Sequence, residues 1–556
     1  MREQSAAELR VLSHFWPGAE APRRAMPKGG RKKIVIPQFK AAAADTDGMW
    51  RVLEAAIRQI FAKEQSKLSY EVLYRNAYNM VLHKQGELLY TNVRKEVAAF
   101  LSRRAAAIGQ CNAGEFMGAL ERQWKDFRLA ITLVRDVCMY LDRTWVDQQP
   151  ETVPPVFEMG LSLFQRIVAR DGSIKKRLLD TMLDYVERER EGEPIPRQEA
   201  KTISGMWYEI SARLYEEDFE TPLLETSRLY YTRLAQSLVG VEGHSCAGFF
   251  AEVERRLEDE AARTVHYLHE STGPKLRAVV EETMLAPHSA AELADPATGL
   301  RQQLLRDELE DLQRQYTLLR PDRVRVATGE EGGGGSKPLG LEFLSEKVAE
   351  CLGVYSTETV TDSATADDPV AFVSSLLAMQ TKFNALLSGA FRSDSALEVV
   401  MRRCLADGLN LRDSVAKQLV DYVDALLRKG GLPQPPEESA VEGCLEQVLT
   451  LYVHLKDKDV FNQYYKRAVS SRMLGDKSIS EYLEQAFVSK VKLRCGASHM
   501  HDVETMLQDI KQSEDMVAKF EGSEGRREAA GPQLSFRILN ERVWPSYRLG
   551  EPLLLP

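Results

Sequence analysis

The chain has 556 residues, 44% of them hydrophobic and 28% charged, and a formal net charge of −9 at pH 7. That length is enough for about three or four domain-sized units, and an aromatic content of 8% argues against general disorder. The acidic balance argues against nucleic acid as the main partner, because phosphate contacts draw on clustered Lys and Arg.

The first twenty residues, MREQSAAELRVLSHFWPGAE, lack a secretory apolar core. Their arginines and scarcity of acids leave a mitochondrial transit peptide open as an alternative. The basic tract Pro27 to Lys33 reads as a solvated flexible segment, with a nuclear-import or acidic-partner patch as the alternative. Seven cysteines, widely spaced and never in a C-x-x-C arrangement, suit reduced thiols in a cytosolic or nuclear protein. No uninterrupted apolar run approaches the roughly 20 residues that span a bilayer, so a soluble protein without a membrane partner is expected.

The stretch Leu68 to Gly86, LSYEVLYRNAYNMVLHKQG, predicts one bounded helix. Ser69 is expected to cap it, Glu71 to complement its dipole, and Gly86 to end it in a left-handed conformation. Leu73, Ala77, Met80 and Val81 share one face and form the expected core stripe. Tyr70, Tyr74 and Tyr78 form a second row, displaced by roughly a quarter turn because each four-residue step advances about 40°. Two readings follow. Both stripes are buried between neighbouring helices, or the tyrosines form a partner-binding face, for which their apolar bodies and polar tips are suited.

Helical periodicity dominates from about Asp47 to Ala518, with long segments at Phe127 to Val146, Val156 to Glu193, Phe249 to His269 and Arg301 to Leu319. No fixed sequence period is visible, so any repeat must be structural. Thr328 to Pro338, TGEEGGGGSKP, reads as a flexible spacer. Its G-x-G-x-x-G lacks the preceding strand that a dinucleotide site needs. Lys429 to Pro436, KGGLPQPP, is the main expected boundary, because helices do not run through it. Leu534 to Leu539, LSFRIL, alternates like a strand and precedes Trp544-Pro545.

Catalytic chemistry has no visible constellation. His266 with His269, and His499 with His501, are close pairs without a convincing third metal ligand. Gly475-Asp476-Lys477-Ser478 ends like a phosphate loop but has Ser470 where the loop's first glycine belongs. No G-x-S-x-G elbow or readable triad occurs, so no catalytic residue, metal or cofactor is expected.

Several separated blocks resemble the cullin family, most nearly the class that recruits BTB-domain adaptors, usually called the third cullin. They are Leu68 to Arg94, Val134 to Val146 (VRDVCMYLDRTWV), Tyr215 to Tyr231 (YEEDFETPLLETSRLYY), Lys456 to Leu474 (KDKDVFNQYYKRAVSSRML) and Phe487 to Gly496 (FVSKVKLRCG). The resemblance implies a mostly α fold, an elongated stalk of three five-helix cullin repeats followed by the beginning of a cullin-homology globular domain, its four-helix bundle and first strand. The corresponding divisions are a flexible extension 1–45, the stalk 46–430, the bundle 431–533 and the start of the α/β region 534–556.

The function implied is that of a non-catalytic scaffold subunit of a cullin-RING ubiquitin ligase, working in the cytoplasm or nucleus in ubiquitin-dependent protein degradation. By the same resemblance, the helix carrying Leu68, Tyr70, Glu71, Tyr74 and Tyr78 packs against a BTB adaptor. Arg143 and Trp145 supply the neighbouring wall. Ile34, Ile36 and Phe39 are the candidates for an apolar N-terminal segment beside the adaptor. The family often has phenylalanine at the position of Tyr70 and tyrosine at that of Trp145. Any dimer is expected to form only through the adaptor. After RILNERVWP, the family's RING-binding sheet, winged-helix segments and modifier-accepting lysine have no counterpart here, which puts RING recruitment in doubt. A truncated cullin that only sequesters adaptors, or a helical tethering or trafficking scaffold, is the alternative reading.

Overall fold

A computed structural model describes residues 46–521 and 537–545, apart from 65, 67, 150–151, 240–244, 322–323, 325–339, 363, 365–367 and 433–436. The spacer at 328–338, the apolar candidates Ile34, Ile36 and Phe39, and the first half of LSFRIL lie outside the described residues. The described residues are overwhelmingly helical, and they contain no strand, only an isolated bridge between Arg428 and Ser478.

The described residues divide into two compact units, one of those up to Val97 with Leu129–Gly160, the other of those in Ala98–Arg128 and from Leu161 on. In the first unit, helix Thr46–Phe61 buries Leu53, Ala56, Ile57 and Ile60, spaced at threes and fours, so one stripe faces inward. Helix Tyr70–Leu82 answers with Leu73, Ala77 and Met80. Arg58 Nε donates to Glu96 Oε2 at 2.9 Å, linking the first helix to helix Gly86–Gly109.

The second unit is built of successive helices whose inward stripes form one continuous core from Tyr231 to Trp544. Aspartates start several of them. Asp171 accepts from the backbone N–H groups of Ser173 and Ile174, and Asp394 from those of Ala396 and Leu397, which satisfies first-turn donors that have no intrahelical acceptor. One helical stretch, Pro369–Ala390, is long and apolar enough to cross a membrane by length and composition, which the sequence reading did not register. Its Phe372, Val373, Leu376, Met379, Phe383, Leu386 and Ala390 are buried in the common core.

Two buried ionic clusters bind elements of this unit together. Glu260 accepts from Arg190 Nε at 2.9 Å and from the Tyr231 hydroxyl, and lies 2.7 Å from Arg263 Nη1. Arg190 also donates to Ser227 Oγ at 2.7 Å, so the cluster joins helices Gly172–Arg190, Thr221–Leu238 and Cys246–His266. Further on, the fully buried Arg472 donates twice to the fully buried Glu484, at 2.8 Å each, and once to Asp424.

Several expected elements change in detail. Val156 to Glu193 is interrupted at Arg170-Asp171, where the aspartate cap starts a new helix. Arg301 to Leu319 breaks at Asp307, whose φ of 59° is left-handed and cannot continue a right-handed helix. At the expected boundary, one helix ends at Leu427 and the next begins at Glu438. In the second half of LSFRIL the backbone makes no ladder. The N–H of Ile538 goes to Ser513 Oγ, and that of Asn540 to Asp509 Oδ2, both on helix His501–Glu521. Five π-helical turns, at 142–146, 165–169, 216–220, 281–285 and 386–390, widen the described helices.

Candidate partner-binding site

The site lies wholly in the first unit, where helix Tyr70–Leu82 runs beside the segment from Asp136 to Val146. Leu73, Ala77 and Met80 are buried, and Val81, expected beside them, is only half-buried. On the rest of the helix, Tyr70, Glu71, Val72, Arg75 and Leu82 are exposed.

None of the three tyrosines is sealed inside. Tyr70 is 39% exposed, and Tyr74 and Tyr78 are half-buried. The rings of Tyr74 and Tyr78 stack at 6.5 Å between centroids, and Tyr78 meets Tyr140 of the neighbouring segment at 4.4 Å. At the start of the row, burial and then the Asp136 carboxylate raise the Tyr70 phenol above its ordinary pKa. The two elements therefore meet in order, Tyr70 near Asp136 and Tyr78 on Tyr140, and Gly86 at the start of the next helix meets Trp145. Leu68 is half-buried just before the helix, and Glu71 is exposed and paired with Arg75 at 2.5 Å. Arg143 is exposed and Trp145 half-buried.

Two local expectations fail. Ser69 stands at the N-cap position with extended backbone angles, but its side chain makes no cap bond; its backbone carbonyl accepts from the Leu73 N–H at 3.1 Å. Gly86 is not the helix stop. The helix ends at Leu82, the left-handed residue is Lys84 with φ 61°, and Gly86 opens the next helix. Trp145 accounts for glycine there. A Cβ on Gly86 would stand 2.6 Å from Trp145 Cγ, far inside van der Waals contact.

The wall opposite the tyrosines is a π turn, Asp142–Val146, closed by the Asp147 N–H on the Asp142 carbonyl at 3.1 Å. Asp142 in turn accepts from the Val156 N–H at 3.0 Å, and burial holds its carboxyl above the ordinary carboxylate range. Tyr90 lies against Trp145 at 5.5 Å and donates to the Pro154 carbonyl at 2.7 Å, and burial pushes its phenol up to about 12. Sequence reasoning missed Asp136, Met139 and Tyr140 as parts of this surface, although Met139 is 36% exposed beside the tyrosine row. The signal was present in the block VRDVCMYLDRTWV, where Asp136, Met139, Tyr140 and Arg143 recur at helical spacing.

Such a surface offers aromatic area and polar tips, features enriched in protein interfaces. Among the described residues no group of three or more His, Cys, Asp or Glu is placed to hold a metal. His269 instead stacks on Tyr208 at 3.6 Å, with its Nδ1 2.8 Å from Ser271 Oγ.

Comparison with known proteins places the whole arrangement. The family described as Cullin alpha solenoid domain matches residues 50–517. Cullin-3A of Arabidopsis thaliana is 34% identical over 502 residues, covering 90% of this chain and 65% of that protein. Cullin-3 of Dictyostelium discoideum is 32% identical over 501 residues, covering 89% of this chain and 62% of that protein. Cullin-4A of Homo sapiens is 28% identical over 546 residues, 97% of this chain and 68% of that one. The chain thus spans about two thirds of the length of the curated relatives it matches. Helical architecture, family match and relatives agree: the chain belongs to the cullin family, nearest its cullin-3 class.

Proposed function

We propose that this chain is a non-catalytic scaffold of a cullin-RING ubiquitin ligase and that its aromatic ridge docks a BTB-domain substrate adaptor. The observation carrying this reading is the ridge itself, Tyr70, Tyr74 and Tyr78 left partly open beside Met139, Tyr140 and Trp145 in a chain of the cullin family. Leu68, Glu71 and Arg143 border it. Partly buried aromatics are pre-ordered, so little side-chain entropy is lost when a partner covers them. The scaffold contributes orientation and high local concentration, bringing a bound substrate within reach of the ubiquitin-transfer machinery. The seven cysteines are free, which supports a reducing compartment, cytoplasm or nucleus. A repeat region, 46–430, and a bundle region, 431–533, are divided on the family resemblance, at the helix break between Leu427 and Glu438, and one core runs on across that break.

Tyr74→Ala tests the reading. Truncating a central aromatic anchor costs about 2 kcal/mol or more, roughly a 30-fold loss of affinity. Calorimetric titration of a purified BTB-domain adaptor into the wild type and the variant measures it, with circular dichroism confirming that the helices persist. Equal affinities for the two proteins would remove Tyr74 from the interface.

A further inference from the structure

Gly86 and Tyr90 are one turn apart on the same helix, so both face the Trp145 indole. Tyr90 is fixed from behind by its bond to the Pro154 carbonyl, and Gly86 leaves a notch where a side chain would stand. The notch is filled by the root of the indole side chain. An alanine methyl at position 86 would lie 2.6 Å from Trp145 Cγ, 2.8 Å from Cδ1 and 3.0 Å from Cβ. Carbon atoms pack at about 3.5–4.0 Å, so roughly 1 Å of displacement is needed. Rotating the side chain relieves Cγ and Cδ1 only in part, because Cβ at 3.0 Å still has to give by a few tenths of an ångström. The π turn carrying Trp145 must move, or the helix must. The Thr144 hydroxyl, bonded to the Tyr140 carbonyl at 2.5 Å, passes such a movement to the residue that packs against Tyr78.

We propose that Gly86 is a positioning residue for the partner-binding face: by lacking a side chain it sets where Trp145, and through the π turn Tyr140, stands beside the tyrosine row. The affinity consequence rests on the docking reading above; the positional one does not. The experiment therefore has two arms, both on the full chain. In the first, the six tryptophans are labelled as 5-fluorotryptophan and observed by ¹⁹F NMR, the Trp145 resonance being assigned by its loss in W145F. G86A shifts that resonance and leaves those of distant tryptophans in place. An unmoved Trp145 signal overturns the proposal, whatever the chain binds.

In the second arm, affinity for a purified BTB-domain protein that binds the wild type is measured for G86A, W145A and the double variant. G86A weakens binding by about tenfold or more, and in the W145A background it adds no further loss. Wild-type affinity in G86A, or losses that multiply in the double variant, overturns the proposal. Should G86A alone fail to fold, the same methyl is introduced beside W145A, which removes the Cγ and Cδ1 atoms it would strike. A folded G86A/W145A protein supports the steric pairing, and an unfolded one refutes it. If no BTB-domain protein of a panel binds the wild type, the docking reading fails while the NMR arm still decides the role of Gly86.

Discussion

Replacing Glu260 by glutamine keeps the shape of its side chain and removes the charge at the centre of a buried cluster. Glu260 is 2% exposed and faces Arg190 and Arg263, themselves 4% and 3% exposed at the side chain. Removing one partner of a buried ion pair generally costs about 3–5 kcal/mol, because the opposite charge is left without compensation. Here the lower end applies. Arg263 keeps Glu189 at 2.9 Å, and Arg190 keeps Ser227 at 2.7 Å and the faces of Tyr230 and Tyr231, each 5.0 Å from its guanidinium carbon. The expected loss is about 3 kcal/mol at pH 7. Its pH dependence has a definite sign. Burial alone would raise the Glu260 carboxyl, but the Arg190 and Arg263 charges outweigh it and hold the group below its ordinary value of 4.5. A carboxyl depressed in the folded state stabilises above its unfolded pKa, and that contribution disappears as pH falls through the folded one. The gap between wild type and Glu260→Gln should therefore be constant near neutrality and narrow below pH 4.5. Urea unfolding of both proteins at stepped pH measures the gap. A cost below about 1 kcal/mol at neutral pH, or a gap indifferent to acid, would refute the reasoning.

The second buried cluster makes a complementary prediction. Arg472→Met strands the fully buried Glu484 and should cost about 3–5 kcal/mol, whereas Arg472→Met with Glu484→Leu should recover much of it, since a well-packed apolar pair can replace a buried ion pair. Denaturation midpoints of the single and double variants check this, and a double variant no more stable than the single one would contradict it. Thiol reactivity provides another test. Burial pushes the Cys138 and Cys246 thiols up to about 12, so both should resist a disulfide reagent at pH 8 until the chain unfolds. Peptide mapping after brief labelling reads this out, and rapid native labelling of either residue would count against its placement.

Much of the helical architecture and the tyrosine row was legible because both rest on periodicity. Leu73, Ala77 and Met80 are buried where their spacing puts them, and Tyr70, Tyr74 and Tyr78 follow one another along an adjoining face. What escaped was whatever depends on a distant residue. The requirement for glycine at position 86 lies in Trp145, 59 positions further along by subtraction of the two numbers, so local rules misread it as a helix stop. The break at Asp307 was hidden for a related reason, since apolar periodicity continues on both sides of a single left-handed residue. Nothing local marks Glu260 or Arg472 as buried, because only the folded chain brings their partners from other helices. In LSFRIL, alternation signals an extended chain but does not say whether another strand or a helix takes up the freed N–H groups.

The widened turns bear on why a repeating protein carries no readable repeat. Two of them, 216–220 and 281–285, run straight on into the next helix, and each holds one more residue per hydrogen-bonded ring than the helix around it, so the side-chain stripe rotates by about 100° without any break in the rod. A single-codon insertion can thus be absorbed in the middle of a helix instead of in a connecting loop. Copies of one ancestral unit that gained or lost residues at such places would keep the same contacts while their spelling slid out of phase. Architecture would then outlive alignment, and a search for a fixed interval in the letters would return nothing.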